Sequence, residues 1–414
     1  MEEDECYHTS ESIPELPPES FTPYDPPLRR LIPNFDALYV HLLRARRRGY
    51  PLANPALDLN LPEEQQKQGI NIGDVGFIHQ SGSFTFMFNV YRSPDDPVHQ
   101  RLGTPAGFSP LPDPTHYDVK TTVYPRGSYV SAGVQPAFPA TPEMSGSLSF
   151  HSRADFSAIC ALPRGSELTE LIDPGALQPY IAQHGANWYK HVLESPHRTF
   201  LNGSLYLVTA VEKTDAWGIA ILQQTYREGC CVHLFEQEDR RGNSWYSWTS
   251  SLVGGHFLLW DEPKRLANQA MFIRGFQIGL GAKPWSVYPQ SERDPAQKNS
   301  SFARLFSRFP LRLVSWVWSF PRIFADEYFA HDPIEFSHPS RITTEYICGK
   351  VPNAQVVISH DDEWTSVLKP GESEIPSAAE LLTRLQHKFE VVHDAGQGVA
   401  YLAQRRRRWY EFWS

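Results

Sequence analysis

The sequence of 414 residues lacks the short motifs that accompany the common enzyme chemistries. It contains no phosphate-binding P-loop, no GxGxxG dinucleotide fingerprint, no GxSxG nucleophile elbow, no HExxH zinc motif and no EF-hand loop. Nucleotide-dependent, serine-hydrolase, zincin and calcium-sensor chemistries of these kinds are therefore not indicated. We expect no cofactor.

Cysteine and long apolar runs are also scarce. The five cysteines have no CxxC spacing, which argues against both a disulfide framework and a zinc knuckle. No apolar run approaches the roughly 18–20 residues of a membrane-spanning helix. The acidic first twenty residues have neither the positive nor the apolar region of a secretory signal. We expect a cytoplasmic protein with reduced thiols and no transmembrane span.

A formal net charge of −9 predicts that nucleic acid is not a partner, because phosphate binding requires a dominant basic surface. The basic residues that do cluster lie in three places: residues 44–48, the set Arg304, Arg308 and Arg312, and residues 405–408.

The composition predicts an α+β fold. Proline is more frequent than glycine, 35 residues against 26, which is typical of chains with many rigid turns and sheet edges. We expect a large mixed or antiparallel β-rich domain and a smaller C-terminal α/β lobe. The predicted divisions are a disordered acidic, proline-rich tail (1–33), the main domain with helical insertions (34–282), a linker with an amphipathic aromatic-basic segment (283–333), and the lobe with its basic-aromatic tail (334–414).

Residues 203–222, GSLYLVTAVEKTDAWGIAIL, are the stretch around which the rest is organised. Residues 205–211 are apolar on both alternating faces, as in a strand buried on two sides. Lys213, Thr214 and Asp215 interrupt the apolar run, and residues 217–222 resume it. This pattern predicts a central hairpin.

Hydrophobic periodicity predicts the other elements. Helices are expected over 35–47, 174–194, 339–348, 360–368 and 377–389, and strands within 69–91. Short strands over 231–235, 244–252, 256–261 and 270–280 predict an antiparallel meander. A strand over 354–359 and a hairpin around residues 394–398 complete the C-terminal lobe.

Four stretches together resemble a family of uncharacterised intracellular proteins of mushroom-forming fungi. They are GDVGFI at 73–78, LYLVTAVEKTDAWG at 205–218, FIRGFQI at 272–278 and SHDDEW at 359–364. The resemblance covers roughly residues 69–389; it implies a shared architecture and an intracellular location, and it carries no activity. LYLVT alone is also similar to gasdermin-type strands, over too short a length to support an inference.

His360, Asp361 and Asp362 follow a predicted strand, and functional carboxylates in α/β units gather at the carboxyl ends of strands. Together with Glu363 or the His393-Asp394 pair, they have the donor atoms to hold a divalent cation. The favoured alternative is that Asp361 or Asp362 caps the next helix. Asp74, between two glycines, has two interpretations as well: a general acid or base, or, as we favour, a carboxylate bonded to backbone amides at a bulge.

Aromatic residues provide the remaining candidates. Trp217, Trp245, Trp248 and Trp260 form either a stacking platform or, as favoured, part of the core. In residues 302–324 the three arginines Arg304, Arg308 and Arg312 share one helical stripe opposite an apolar one, and Trp316 and Trp318 suit a headgroup layer. A peripheral membrane or partner contact is one interpretation of this segment, and packing on the protein's own β domain is the favoured one.

These features predict a non-enzymatic binding or interaction module with an unidentified protein or small-molecule partner. Two alternatives stay open: a metal-assisted hydrolase centred on His360, Asp361 and Asp362, and a peripheral membrane protein that uses residues 302–324.

Overall fold

The computed structural model describes residues 35–55, 60–79, 82–137, 147–193, 202–223, 229–238, 244–251, 255–261, 264–288 and 338–405. The predicted N-terminal tail and the aromatic-basic segment lie outside these ranges.

Seven α-helices occur within the described ranges. They are α1 Phe35–Leu43, α2 Glu63–Gln68, α3 Gln178–Leu193, α4 Ala282–Trp285, α5 Pro339–Lys350, α6 Asp361–Thr365 and α7 Ala378–Lys388. Short 3-10 turns cover Arg44–Arg46, Pro97–His99 and Pro174–Leu177.

The same ranges contain eighteen strands. They are β1 Tyr50–Pro51, β2 Asp74–Ile78, β3 Phe84–Asn89, β4 Val119–Tyr124, β5 Ser128–Ala132, β6 Val134–Ala137, β7 Leu148–Ser152, β8 Phe156–Leu162, β9 Ser166–Leu171, β10 Leu205–Thr214, β11 Ala216–Gln223, β12 Cys230–Glu238, β13 Ser244–Ser250, β14 Gly255–Asp261, β15 Gln269–Gly279, β16 Val356–His360, β17 Phe389–Asp394 and β18 Val399–Gln404.

A ten-stranded mixed sheet forms the centre of the fold. Its main path is β17-β18-β16-β15-β10-β2-β3; β1 adds to β15, and β9, with β4, adds to β10. Helix α3 packs on one face, where Trp188 and Tyr189 join the apolar side chains of β2, β10 and β15. The hydroxyl of Tyr189 donates to the Ile278 carbonyl at 2.6 Å and accepts from the Gly203 amide at 2.8 Å. These bonds fix the helix against the sheet.

Four stretches of the chain extend from the central sheet into two further sheets, and each stretch contributes one strand to each of the three sheets. The stretches cover β4–β6, β7–β9, β10–β12 and β13–β15, and each pairs antiparallel with the next. The second sheet has the order β14-β11-β8-β5, and the third β13-β12-β7-β6. We call these two four-stranded sheets and their connections the folded ribbon.

The ribbon doubles back so that its two sheets stack. The Trp248 indole Nε1 of β13 donates to the Leu258 carbonyl of β14 at 3.1 Å. The same indole covers Gly218, where a Cβ atom would lie 2.8 Å from Trp248 Cζ2. Tyr129 and Phe150 meet edge to face between the sheets, with ring centroids 5.1 Å apart. The other face of the second sheet is covered by α1, whose apolar side chains share a core with β5, β8 and β11.

The α+β class rich in antiparallel strands is confirmed, and so are the helices predicted over 174–194, 339–348 and 377–389. The predicted hairpin between β17 and β18 is confirmed as well. The strands of the predicted C-terminal lobe, β16–β18, do not form a sheet of their own. β16 pairs with β15, so these strands extend the central sheet.

The predicted central hairpin is wrong. β10 pairs with β15, β2 and β9, whereas β11 pairs with β14 and β8, so the chain bends at Asp215 and continues. Thr214 Oγ1 lies 2.7 Å from the Gly165 carbonyl oxygen and 2.9 Å from that of Ala216, which holds the bend. Neither Thr214 nor Asp215 has the positive φ that favoured two-residue hairpin turns require.

The predicted meander is also wrong in its pairing. Of the four predicted strands, β12 and β13 form a hairpin, and β14 and β15 run back along β11 and β10. The six strands β10–β15 thus form one long hairpin, with β10–β12 as one arm and β13–β15 as the other. The burial predicted for residues 205–211 is confirmed, since each of these side chains is at most 3% exposed.

Candidate functional site

His360, Asp361 and Asp362 lie where β16 ends and α6 begins, and their side chains diverge. Asp361 is fully buried, His360 is 7% exposed and the Asp362 side chain is 53% exposed. The three residues are adjacent in sequence, but their side chains lie in different environments.

The Asp361 carboxylate is enclosed by donors from four elements of the fold. Its Oδ1 accepts from Ser340 Oγ at 2.8 Å and from Trp364 Nε1 at 2.9 Å. Its Oδ2 accepts from the Tyr206 hydroxyl and from the Gly275 amide, the latter at 3.1 Å. A buried carboxylate with this many donors cross-links α5, α6, β10 and β15.

A serine, a histidine and an aspartate meet here without forming a nucleophilic triad. His338 Nε2 lies 3.5 Å from Asp361 Oδ1, and its Nδ1 accepts from the Ser340 amide at 3.3 Å. Ser340 donates its hydroxyl proton to Asp361 instead of to the histidine, and it is fully buried. An activated serine must donate to its general base and must reach a substrate, and Ser340 does neither.

The capping role predicted for Asp361 or Asp362 is wrong, because His360 caps α6. Its Nδ1 accepts from the Asp362 amide at 3.1 Å. Its Nε2 lies 2.9 Å from Thr209 Oγ1. Histidine can replace the usual serine or aspartate here because its ring nitrogen has an acceptor lone pair.

Asp362 belongs to a surface ion pair. Its Oδ1 lies 3.4 Å from Arg274 Nη1, and the other terminal nitrogen of Arg274 donates to Glu170. Burial raises the pKa of the Asp362 carboxyl, but the neighbouring side chains, among them the Arg274 guanidinium, lower it by more, so the net pKa is lowered. Asp362 is therefore ionised at neutral pH.

Within the described ranges, no group of three His, Cys, Asp or Glu side chains is arranged to hold a metal ion. Glu363 Oε2 accepts from Ser359 Oγ at 2.8 Å. Burial raises the pKa of the Glu363 carboxyl to about 8. His393 and Asp394 lie on β17, two strands away from β16. These neighbours do not complete a coordination site with His360, Asp361 and Asp362.

Asp74 makes the hydrogen bonds expected of a carboxylate at a bulge, and the pKa of its carboxyl is raised. The register between β2 and β3 shifts between Val75 and Gly76, as predicted. Asp74 is 1% exposed; Oδ1 accepts from Asn89 Nδ2 and Oδ2 from the Asn71 amide, both at 2.7 Å. Burial raises the pKa of this carboxyl to about 7, because desolvation outweighs both hydrogen bonds and the nearby Lys213 charge.

This raised pKa predicts a pH dependence of stability. The folded chain binds the proton more tightly than the unfolded chain, so the contribution of Asp74 is greatest below its unfolded pKa, near 3.8, and declines as pH rises to about 7. The total decline is on the order of 4 kcal/mol.

Asp74→Asn should flatten this part of the profile in urea unfolding between about pH 5 and 8. Asp118→Asn is the control, because hydrogen bonds from Thr115 lower the pKa of that carboxyl. A variant profile parallel to wild type would contradict the assignment.

The four strand tryptophans face in three directions. Trp217 is 6% exposed in the core beneath α1, and its cross-strand partner Trp260 is 42% exposed on the same face. Trp248 packs between the two stacked sheets. Trp245 is adjacent to the inward-facing Tyr246, so by strand alternation it lies on the outer face of the third sheet, 42% exposed. The fold does not bring the four onto one surface.

The remaining candidates, Arg304, Arg308, Arg312, Trp316 and Trp318, lie outside the described residues. Across those that are described, no helix has the length and apolar character needed to cross a bilayer.

Sequence reasoning missed a buried ion pair between Arg48 and Glu212. Glu212 is fully buried in β10; Arg48 Nε donates to its Oε2 at 2.9 Å, and Ser166 Oγ donates to its Oε1 at 2.6 Å. The Arg48 guanidinium also stacks on Tyr124, 3.6 Å from the ring centroid. The signal was present, since one acidic residue within the apolar run VTAVEKT requires a buried partner.

Comparisons with known proteins identify no family. No protein-family profile matches the chain, and no curated protein matches it. Among solved structures, the chain is similar to the one titled "Cryo-EM structure of the Gasdermin A3 membrane pore". The two are 11% identical, and the match covers 60% of this chain and 91% of that one, with a TM-score of 0.21. A likeness this weak supports no conclusion about fold or activity.

Proposed function

We propose that this protein is a non-enzymatic interaction module that binds an extended segment of a partner protein along one edge of the folded ribbon. The proposal rests on one observation, a sheet edge that is unpaired and exposes aromatic side chains. Within the described residues, β13 and β14 each pair on one side only, and each exposes one tryptophan, Trp245 and Trp260.

An unpaired strand edge offers a row of free amide and carbonyl groups to another strand. Partners that add a strand in this way gain main-chain hydrogen bonds for affinity and side-chain contacts for specificity. Tryptophan, with tyrosine and arginine, is enriched among the side chains that dominate binding energy. The edge formed by β13 and β14 combines both properties.

The opposite edge of the ribbon provides an internal comparison. In the part of the chain that the structure describes, β5 and β6 also pair on one side only, and Tyr129 on β5 is 38% exposed, close to the exposure of the two tryptophans. Strand addition at β13 and β14 therefore predicts that substitutions on the two edges differ in effect.

The test is selection of extended peptides from a display library against the full chain, followed by measurement of Kd. We expect Trp245→Ala/Trp260→Ala to weaken the selected peptides by about 30-fold, a loss of roughly 2 kcal/mol. Tyr129→Ala should leave Kd unchanged. Hydrogen exchange should show new protection at the amides of β13 and β14. Failure to select any peptide, or equal loss in both variants, would refute the proposal.

The hydrolase alternative finds no support in the polar cluster, because Asp361 is fully enclosed by protein donors. The membrane alternative rests on residues 302–324, which lie outside the described ranges.

A further inference from the structure

A small cavity lies between α2, the β2–β3 hairpin and the start of β15. Its volume is about 30 Å³, and Asp74 lines it. A cavity of this size has room for about two water-sized groups. Most of its wall is apolar, and the aromatic side chains Phe84 and Phe86 form part of it.

Hydrogen bonds hold the polar wall of the cavity in place. Asn268 Nδ2 donates to the Gln66 carbonyl at 2.9 Å, and Gln65 Nε2 donates to the Gly69 carbonyl at 3.2 Å. Gly69 has φ +65°, and a Cβ there would lie 2.0 Å from the Asn268 carbonyl oxygen. Only glycine permits this close approach, so α2 is fixed against β15 and the cavity is a built feature.

The Asp74 carboxylate keeps acceptor capacity beyond its two protein contacts. Each of its oxygens accepts one hydrogen bond, from Asn89 or from Asn71, and a carboxylate oxygen offers two acceptor positions. A proton on either oxygen must point away from these donors. A cation that donates hydrogen bonds can take the place of that proton.

Among the residues that the structure describes, no charged side chain is in direct contact with the Asp74 carboxylate. Lys213 Nζ donates to the Gln68 carbonyl and to Asn71 Oδ1, both at 2.8 Å. Its positive charge lowers the pKa of Asp74 through space, without a hydrogen bond to the carboxylate. The side chain of Arg92 is 44% exposed and pairs with Asp113 at 3.8 Å. The buried carboxylate is thus charged above neutral pH without a cation in contact.

We propose that this cavity binds a small primary ammonium ion, which donates its hydrogen bonds to Asp74 and lies against the apolar and aromatic wall. Magnesium and calcium require six or more oxygen ligands, preferably with several carboxylates, whereas the lining residues supply one carboxylate, a few carboxamides and otherwise apolar side chains. An ammonium group supplies directional donors, and aromatic faces attract it. The cavity volume limits the ligand to ammonium itself or methylammonium.

The experiment compares the melting temperature of the full chain in methylammonium chloride and in tetramethylammonium chloride, each at about 100 mM and about pH 8. The second ion has the same charge, no donor hydrogens and too large a volume. We expect methylammonium to raise the melting temperature of the wild type by about 2–4 °C over tetramethylammonium. At about pH 5 the carboxyl is protonated and the difference should disappear.

Two variants locate the effect. Asp74→Asn removes the charge, and Ala270→Val fills part of the cavity while keeping Asp74 and both of its donors. Neither should distinguish the two salts. Saturation-transfer NMR with labelled methylammonium on the wild type gives a direct measure of binding that is independent of either variant. Equal melting temperatures in both salts at about pH 8, or an undiminished response in Ala270→Val, would overturn the proposal.

Discussion

Replacing Val208 with aspartate is expected to abolish soluble expression of the protein. Val208 is fully buried at the middle of β10, which is paired on both sides. An aspartate there would lie among the apolar side chains of the core, and an unpaired buried charge costs on the order of several kcal/mol. That cost is comparable with the roughly 5–15 kcal/mol by which a typical domain is stable.

Val123→Asp is the matched control for this experiment. Val123 also lies on a strand, β4, but it is 71% exposed. The same change in charge and shape should therefore leave expression and melting temperature close to wild type. A Val208→Asp variant that melted like Val123→Asp would show that β10 is not interior.

Substitutions at Asp361 are expected to have the second-largest effect. Alanine would leave the Tyr206, Ser340 and Trp364 side chains and the Gly275 amide without their acceptor. Each buried donor left unsatisfied costs about 1–3 kcal/mol, and because the four share one network we expect a total loss on the order of 4–6 kcal/mol. Asp361→Asn keeps the volume but turns its amide group toward donors, so about half of that loss should persist.

The losses of stability in Asp361→Ala, Asp361→Asn and Asp362→Asn distinguish a buried hydrogen-bond acceptor from a surface carboxylate. Asp362→Asn should cost at most about 1 kcal/mol, because Asp362 belongs to an exposed ion pair. Urea unfolding measures all three, and hydrogen exchange at the Gly275 amide should accelerate in both Asp361 variants. Equal effects of Asp361→Asn and Asp362→Asn would contradict the buried network.

Local pattern predicted the elements better than their partners. The side chains of residues 205–211 alternate between two apolar faces, and this alone required a strand buried on both sides, as observed for β10. The bend at Asp215 and a hairpin turn have similar polar sequences. What separates them is pairing with β15 and β14, which begin forty or more residues after the bend. A sequence read locally does not contain that information.

The polar cluster shows the same limit at the level of single side chains. Adjacent polar residues after a strand are usually exposed or capping, and the sequence HDDEW offered no reason to place Asp361 in the interior while the side chain of Asp362 stays half exposed. Its burial depends on Tyr206, which precedes it by 155 residues, and on Ser340. The histidine cap was missed because serine, threonine, aspartate and asparagine dominate that position.

The pairing of β1 with β15 has a consequence for synthesis of the chain on the ribosome. Tyr50 pairs with Ile273, so the strand that follows α1 waits for about 220 further residues before its partner exists. At about 5–20 residues per second this delay is on the order of 10–45 s. During it, the apolar side of α1 has no complete sheet to cover, and Arg48 waits for Glu212. The nascent protein should therefore depend on chaperones that shield its first helix until about two thirds of the chain has been made.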